Sequence, residues 1–200
     1  EIGFKSNQGL NSLEFTLFTN SYDNLLGADT AASGGGSDEL FNGGAVDISG
    51  FELYLRRILV DNGRIQMPLE LSWTSTNSEF QESFDGFWGE VSKGDELPYL
   101  PDTMIALNLG LTVDKLSANI SMKKTSEMRT VAGSGRILES NATDELTIID
   151  LGLRYALQDN IRFSVGINNF MDDDGIAARR PYGARPTMPR SFSLGVDYTF

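Results

Sequence analysis

The 200 residues suffice for one domain with a sizeable core or for part of a larger one, and 28 acidic against 16 basic residues leave a net charge of −12 that argues against nucleic acid or an anionic lipid surface as partner. Cysteine and histidine are both absent, which excludes disulfide frameworks, thiolate metal sites, the usual zinc ligand sets and the Ser-His and Cys-His catalytic constellations, and with them most hydrolase chemistry. The 21 glycines and 6 prolines predict frequent chain reversal without a fibrous period, and no apolar run approaches the roughly 20 residues of a membrane-spanning helix, so any membrane crossing has to be made by strands.

The chain opens at Glu1 with neither an initiator Met nor a signal-peptide pattern, so an upstream part is expected to have been removed. Glu1 to Lys5 read as the last half of a strand, and residues 11 to 23 form the next. Residues 45 to 60 read as a strand in which Val46 and Ile48 are out of step with Phe51, Leu53 and Leu55, so a bulge is expected near Gly50. Asn62-Gly63 is a strong two-residue hairpin signal. It leads into Ile65, Met67, Leu69, Leu71 and Trp73, which alternate with Gln66, Glu70, Ser72 and Thr74; Pro68 removes one ladder donor, so this strand is expected to be weaker or bulged. Ile105, Leu107, Leu109, Leu111 and Val113 alternate with small or polar residues, turn tightly at Asp114, and are followed by Leu116, Ala118, Ile120 and Met122 in the same pattern. Leu151, Leu153, Tyr155 and Leu157, then Ile161, Phe163, Val165 and Ile167, make another pair joined only by Gln158 and Asp159. The last strand carries Phe192, Leu194, Val196, Tyr198 and Phe200 on one face and Ser193, Gly195, Asp197 and Thr199 on the other.

The connections sort into two kinds that alternate along the chain. Those at about 6 to 10, 61 to 63, Asp114 and 158 to 159 are short; those at about 24 to 44, 77 to 101, 126 to 143 and 172 to 189 are long and polar. Alternation alone leaves a half-buried soluble sheet and a membrane barrel equally open. The loop sorting, the apolar stripes of about 9 to 11 residues and the aromatics Trp73, Tyr155, Tyr198 and Phe200 near stripe ends favour the barrel, with short turns at the periplasmic end. The fold class expected is therefore all-β, an antiparallel transmembrane β-barrel meander. Nine strands are counted, the first incomplete, whereas bacterial single-chain barrels use even numbers. The chain is thus expected to be the C-terminal portion of a longer barrel; the alternative is an eight-stranded barrel with a loose start.

The residues resemble the TonB-dependent outer-membrane receptors, in particular the iron-chelate branch with the ferric citrate and siderophore receptors. The resemblance covers essentially the whole chain and rests on Glu1-Ile2-Gly3-Phe4-Lys5, Gly50-Phe51-Glu52, Leu97-Pro98-Tyr99-Leu100-Pro101, Gly166-Ile167-Asn168-Asn169-Phe170-Met171-Asp172, and Arg180-Pro181-Tyr182-Gly183-Ala184-Arg185-Pro186 with Pro189-Arg190. It implies a 22-stranded barrel in the outer membrane of a Gram-negative bacterium, of which residues 1–200 are the last nine strands, with the plug domain and N-terminal strands lying outside this chain. It further implies TonB-energised uptake of a ferric chelate rather than catalysis, no cofactor, contact with the TonB complex through the absent N-terminal region, and contact with outer-membrane lipid and lipopolysaccharide. Phe192, Leu194, Val196, Tyr198 and Phe200 resemble the assembly signal read by the barrel-assembly machinery. A passive porin, a soluble β-sandwich binding module and, more remotely, an outer-membrane enzyme are the competing readings.

Ferric chelates are anionic, so a receptor for them needs Arg or Lys with aromatics for the organic parts. Arg179, Arg180, Tyr182 and Arg185 form a basic cluster in an acidic protein and, with Trp88, are the candidate substrate-binding residues; the competing reading is that such arginines pin a loop to the barrel wall or to lipopolysaccharide phosphates. Phe84, Phe87 and Trp88 either cap a ligand or form a loop core. Asp172-Asp173-Asp174-Gly175 resembles the start of a calcium loop but lacks the closing bidentate Glu, so no metal site is assigned. Gly34-Gly35-Gly36 and Gly133-Ser134-Gly135 precede no helical pattern and are not phosphate cradles. Glu70, Asp150, Arg154, Arg162 and Asp197 are expected to form ion pairs on the polar face or to touch the absent plug.

Overall fold

The computed structural model describes residues 1–28, 40–86, 89–179 and 183–200. Nine strands form one sheet: β1 (Ile2–Gln8), β2 (Asn11–Tyr22), β3 (Val46–Asp61), β4 (Ile65–Phe80), β5 (Thr103–Val113), β6 (Leu116–Thr125), β7 (Leu146–Gln158), β8 (Ile161–Asn168) and β9 (Ser191–Tyr198). Each pairs antiparallel with its sequence neighbour, an up-and-down meander without crossovers. No pairing joins β1 to β9 among the described residues, so the sheet is open. The connections at 9–10, 62–64, 114–115 and 159–160 lie at one end and the described parts of those at 23–45, 81–102, 126–145 and 169–190 at the other, as strict antiparallel order requires. Small two-stranded ladders occupy three of the long connections: Leu26–Ala28 with Leu40–Asn42, Phe84–Gly86 with Gly89–Val91, and Ile176–Ala178 with Arg185–Pro186. No described helix is long and apolar enough to cross a membrane.

Strand register carries the alternation of each strand across the sheet. Phe15, Leu53, Trp73 and Ile105 stand side by side, as do Ile120, Leu151, Ile167 and Phe192. Rings stack along this face, Phe51 meeting Trp73 edge-on at 4.9 Å. The opposite face carries rows such as Thr16, Glu52 and Thr74 and Ser117, Arg154, Ser164 and Gly195. The apolar face is not a core: Phe192, Leu194 and Val196 are 71%, 85% and 66% exposed. Burying each such side chain is worth roughly 1.5–3 kcal/mol, so a continuous face left in water would be a large standing cost. Within a bilayer it has none, which accounts for an apolar face with no second sheet packed on it.

The buried cluster Val46, Phe80 and Val91 lies instead on the polar face at the long-loop end, flanked by Leu25, Ile48, Phe84, Leu97 and Ala132. This corrects the expected bulge at Gly50. Register runs unbroken through Gly50 against both β2 and β4, so Val46, Ile48, Gly50 and Glu52 share one face. The polarity of that face changes because β3 and β4, 16 residues each, outrun the roughly 9–11 residues of a tilted span. Their extra turns are covered by loop rather than by water. Gly50 itself marks a close approach, since a Cβ there would sit 2.0 Å from the Ser75 carbonyl oxygen. The bulge falls between Ile58 and Val60, opposite Pro68, as the missing proline donor predicts. Two smaller corrections concern the ends: β1 continues to Gln8, and its turn is only Gly9-Leu10, while β4 continues to Phe80.

Ion pairing on the polar face is partial. Glu70 reaches Arg56 at 3.5 Å and Lys5 reaches Glu14 at 2.5 Å. Asp150 accepts the Asn169 backbone N–H at 2.8 Å instead of pairing with a cation. Arg162 and Asp197 are cross-strand partners in register, yet neither they nor Arg154 make an ion pair among the described residues. The expectation of ion pairs at those three is corrected: Arg154 has only Ser117 and Ser164 beside it, and Arg162 and Asp197, though in register, are both exposed, where solvation of each charge competes with a weak surface pair.

Candidate functional site

At the long-loop end, three connections are joined by polar contacts that local sequence does not announce. The connection 81–102 meets 126–145 through a bridge between Glu96 and Gly133, whose Glu96 N–H donates to the Gly133 oxygen at 2.8 Å, and through the Tyr99 N–H donating to the Arg129 oxygen at 2.9 Å. Arg129 is 6% exposed. Its Nε donates to Glu96 Oε2 at 2.7 Å and its guanidinium to the Gly135 oxygen at 3.1 Å, so a buried charge has both a counter-ion and a carbonyl, as burial demands. Tyr99 holds a left-handed backbone with φ of 59°, an expensive conformation for an aromatic residue that persists only where surroundings impose it. Asp102, close by, has its carboxyl raised above the ordinary value, first by desolvation and then by the charge of Glu96, with Arg129 opposing.

The connection 169–190 docks on 126–145 from the other side. Asp144 and Ile176 exchange bonds, the Asp144 N–H donating to the Ile176 oxygen at 2.9 Å and the Ile176 N–H to Asp144 Oδ2 at 2.6 Å. At its base lies Asn169, 3% exposed and left-handed with φ of 50°. The Asn169 amide donates to the oxygens of Asp173 and Met188 at 2.9 and 2.8 Å and accepts from the Asp173 N–H at 3.0 Å. Thr187 Oγ1 also donates to the Asp173 oxygen. Asn tolerates the left-handed region and its side chain replaces backbone partners there, which is why this residue type closes the turn. A recess of about 270 Å³ under this loop is lined by Ile148, Asp150, Asn168, Asn169, Thr187 and Met188.

The sequence-predicted site residues divide as follows. Arg179 is half-buried; its Nε donates to the Ala142 oxygen at 2.5 Å, its terminal nitrogen to the Glu139 oxygen at 2.9 Å, and its N–H to the Tyr99 hydroxyl at 3.3 Å. Arg185 is exposed and lies in the short ladder with Ala178. Arg180, Tyr182 and Trp88, with Phe87, lie outside the described residues. Phe84 packs edge-on against Phe80 at 5.5 Å, within the loop core. The aspartate run acts as backbone caps: Asp173 accepts from the N–H groups of Thr147 and Gly175, and Asp172 from the N–H of Arg190. No group of three acidic, His or Cys side chains suited to a metal ion occurs among the described residues. Arg129 carried no sequence signal, since its surroundings in 126–136 are an ordinary polar loop. Tyr99 and Asn169 lay inside motifs that pointed to a family without indicating their roles.

The arrangement thus offers an ordered polar layer with an exposed arginine, set over a polar wall. No curated protein matches the chain. Among solved structures it is similar to the ferric-catecholate import receptor Fiu of E. coli K12, with 19% identity, 95% of this chain and 25% of that chain covered, and a TM-score of 0.69. It is similar also to the ferric yersiniabactin uptake receptor FyuA of Yersinia pestis, with 14% identity, 99% and 29% covered and a TM-score of 0.74, and to the copper transporter OprC, with 16% identity, 99% and 30% covered and a TM-score of 0.67. The chain spans between a quarter and about three tenths of the length of these structures. Residues 1–170 match the family model described as TonB dependent receptor-like, beta-barrel; an open, antiparallel, apolar-faced meander with ordered loops at one end is what part of such a wall looks like, and the chain belongs to the TonB-dependent receptor β-barrel family.

Proposed function

We propose that this chain is the C-terminal part of the wall of an outer-membrane receptor that binds a ferric chelate, of siderophore or ferric citrate type, and admits it with energy supplied through the TonB complex. The family and its solved neighbours are Gram-negative outer-membrane proteins, transporters rather than enzymes. Two of those neighbours are receptors for ferric chelates and a third is a copper transporter, and the net charge of −12 makes a basic loop segment a selective feature for an anionic cargo. On this reading the plug, the TonB-contacting segment and the remaining strands of a 22-stranded barrel belong to the rest of the parent protein. The apolar face meets lipid, the outer rim meets lipopolysaccharide, and Phe192, Leu194, Val196, Tyr198 and Phe200 present the assembly signal.

The observation that carries the reading is the interlocked loop layer that holds Arg179 and the ladder carrying Arg185 at the long-loop end. Arg185, with Arg180, Tyr182 and Trp88, is assigned to the chelate, whereas Arg179, whose guanidinium rests on the Ala142 and Glu139 carbonyls, anchors the chain next to Ala178, the ladder partner of Arg185. In the full-length parent, Arg185→Ala is expected to weaken chelate binding about tenfold or more, the size of a lost charge-assisted contact, and Arg179→Ala to weaken it by loosening the ladder that carries Arg185. Titration of the parent and both variants with a panel of ferric chelates tests this, and unchanged affinity in both variants removes the site.

A further inference from the structure

Arg129 occupies an unusual position among the loop residues. It is buried in the middle connection, its side chain grips Glu96 of one neighbouring connection at 2.7 Å, and its backbone oxygen receives the Tyr99 N–H of the same neighbour at 2.9 Å. On its other side it bridges to Ala142, whose oxygen holds Arg179 Nε of the third connection at 2.5 Å. Thr130 and Asn141 continue that bridge, the Thr130 N–H donating at 2.8 Å. The Arg179 N–H in turn reaches the Tyr99 hydroxyl at 3.3 Å, which closes a ring of contacts through all three connections. Loops carrying their own separate hydrogen bonds would open separately. Here each outer connection, besides its own ladder and turn bonds, is also held by groups that the middle one supplies, and the left-handed Tyr99 is kept in place from outside its own loop.

We propose that Arg129 is a positioning residue that makes the described parts of the connections 81–102, 126–145 and 169–190 move as one body, and that it thereby sets Arg185, through Arg179 and the ladder beside it, for the anionic cargo; the second half of this inference rests on the function proposed above. Arg129 touches no ligand in this scheme. Its effect passes through Tyr99 on one side and through Ala142 and Arg179 on the other.

The test uses the full-length parent in detergent, with heat-modifiable gel mobility confirming a folded barrel, and compares Arg129→Met, Arg129→Lys and Arg185→Ala by amide hydrogen exchange without ligand and by ferric-chelate titration. Arg129→Met is expected to speed exchange about tenfold or more in 94–101 and 172–179 as well as around position 129, as loss of charge-assisted bonds from a buried junction implies. The tight turns at 9–10 and 114–115 are expected to stay unchanged. Arg129→Lys, which keeps the charge but not the fork, is expected to recover part of the protection and part of the affinity. Faster exchange confined to 126–145 would overturn the inference whatever the titration shows. Coupled exchange with unaltered chelate affinity in Arg129→Met would overturn the positioning role. If Arg185→Ala also bound normally, the failure would belong to the proposed function rather than to the mechanical coupling.

Discussion

Asn169 concentrates in one side chain what most turns distribute over several. Its buried amide satisfies the oxygens of Asp173 and Met188 and the N–H of Asp173, while its own N–H is satisfied by Asp150. Asn169→Ala therefore leaves those groups unpaired in a site that water does not reach freely, and puts a residue with no local compensation into the left-handed region. The expected loss is about 2–4 kcal/mol of local stability, read as faster exchange of the Asp173 and Gly175 amides. Asn169→Gly, free of the backbone penalty, is expected to lose less; equal protection in Ala and wild type would refute this role. Residues such as Leu194 were readable from sequence because their environment depends on their immediate neighbours. Arg129 was not, because its counter-ion Glu96 lies 33 positions away, and neither was the burial of Asn169, whose partners Asp150 and Met188 each lie 19 positions away and are brought near by strand pairing.

Strands carry the part of the structure that local chemistry decides, and Gly50 shows where it stops deciding. Alternation from Phe51 to Leu55 correctly assigns the strand, but the apparent slip at Val46 and Ile48 is not a bulge. It is a change in what covers one face, from open lumen-like surface to the packed cluster of Phe80 and Val91. A hydrophobic pattern reports burial, and burial by a loop distant in sequence has the same appearance as a register shift. Pro68 was legible because a missing donor is a property of the residue itself, and the irregularity appears opposite it. The glycine at position 50 permits β3 and β4 to pair without displacing the Ser75 carbonyl. Gly50→Ala is expected to cost about 3 kcal/mol or more by forcing those strands apart, whereas Gly9→Ala, in a turn with open space around it, is expected to cost about 1 kcal/mol from its positive φ alone. Urea midpoints of the two variants, measured on the detergent-refolded parent, test the difference, and equal shifts would show that the close approach is unimportant.

On the scale of the whole molecule, the apolar face and the two unpaired edges set the conditions under which this sheet persists. Lipid does not tolerate open edges, and water does not tolerate a continuous apolar wall, so β1 and β9 call for further strands and the outer face for hydrocarbon. The full-length parent is expected to be monodisperse only in detergent or lipid, with folded and heat-denatured forms separating on gels. Sedimentation as a monodisperse species without detergent would contradict a lipid-facing wall. The amino-acid sequence by itself determined the strands, their two faces and the segregation of long from short connections, because period-two alternation and turn chemistry act over a few residues. Only the tertiary structure decided that three loops share the Arg129 junction, that Val46 lies in a buried cluster, and that Arg179 holds carbonyls while Arg185 stays open to solvent. Those contacts join residues dozens of positions apart, and their distances are set by the register of the strands between them, which no local pattern encodes.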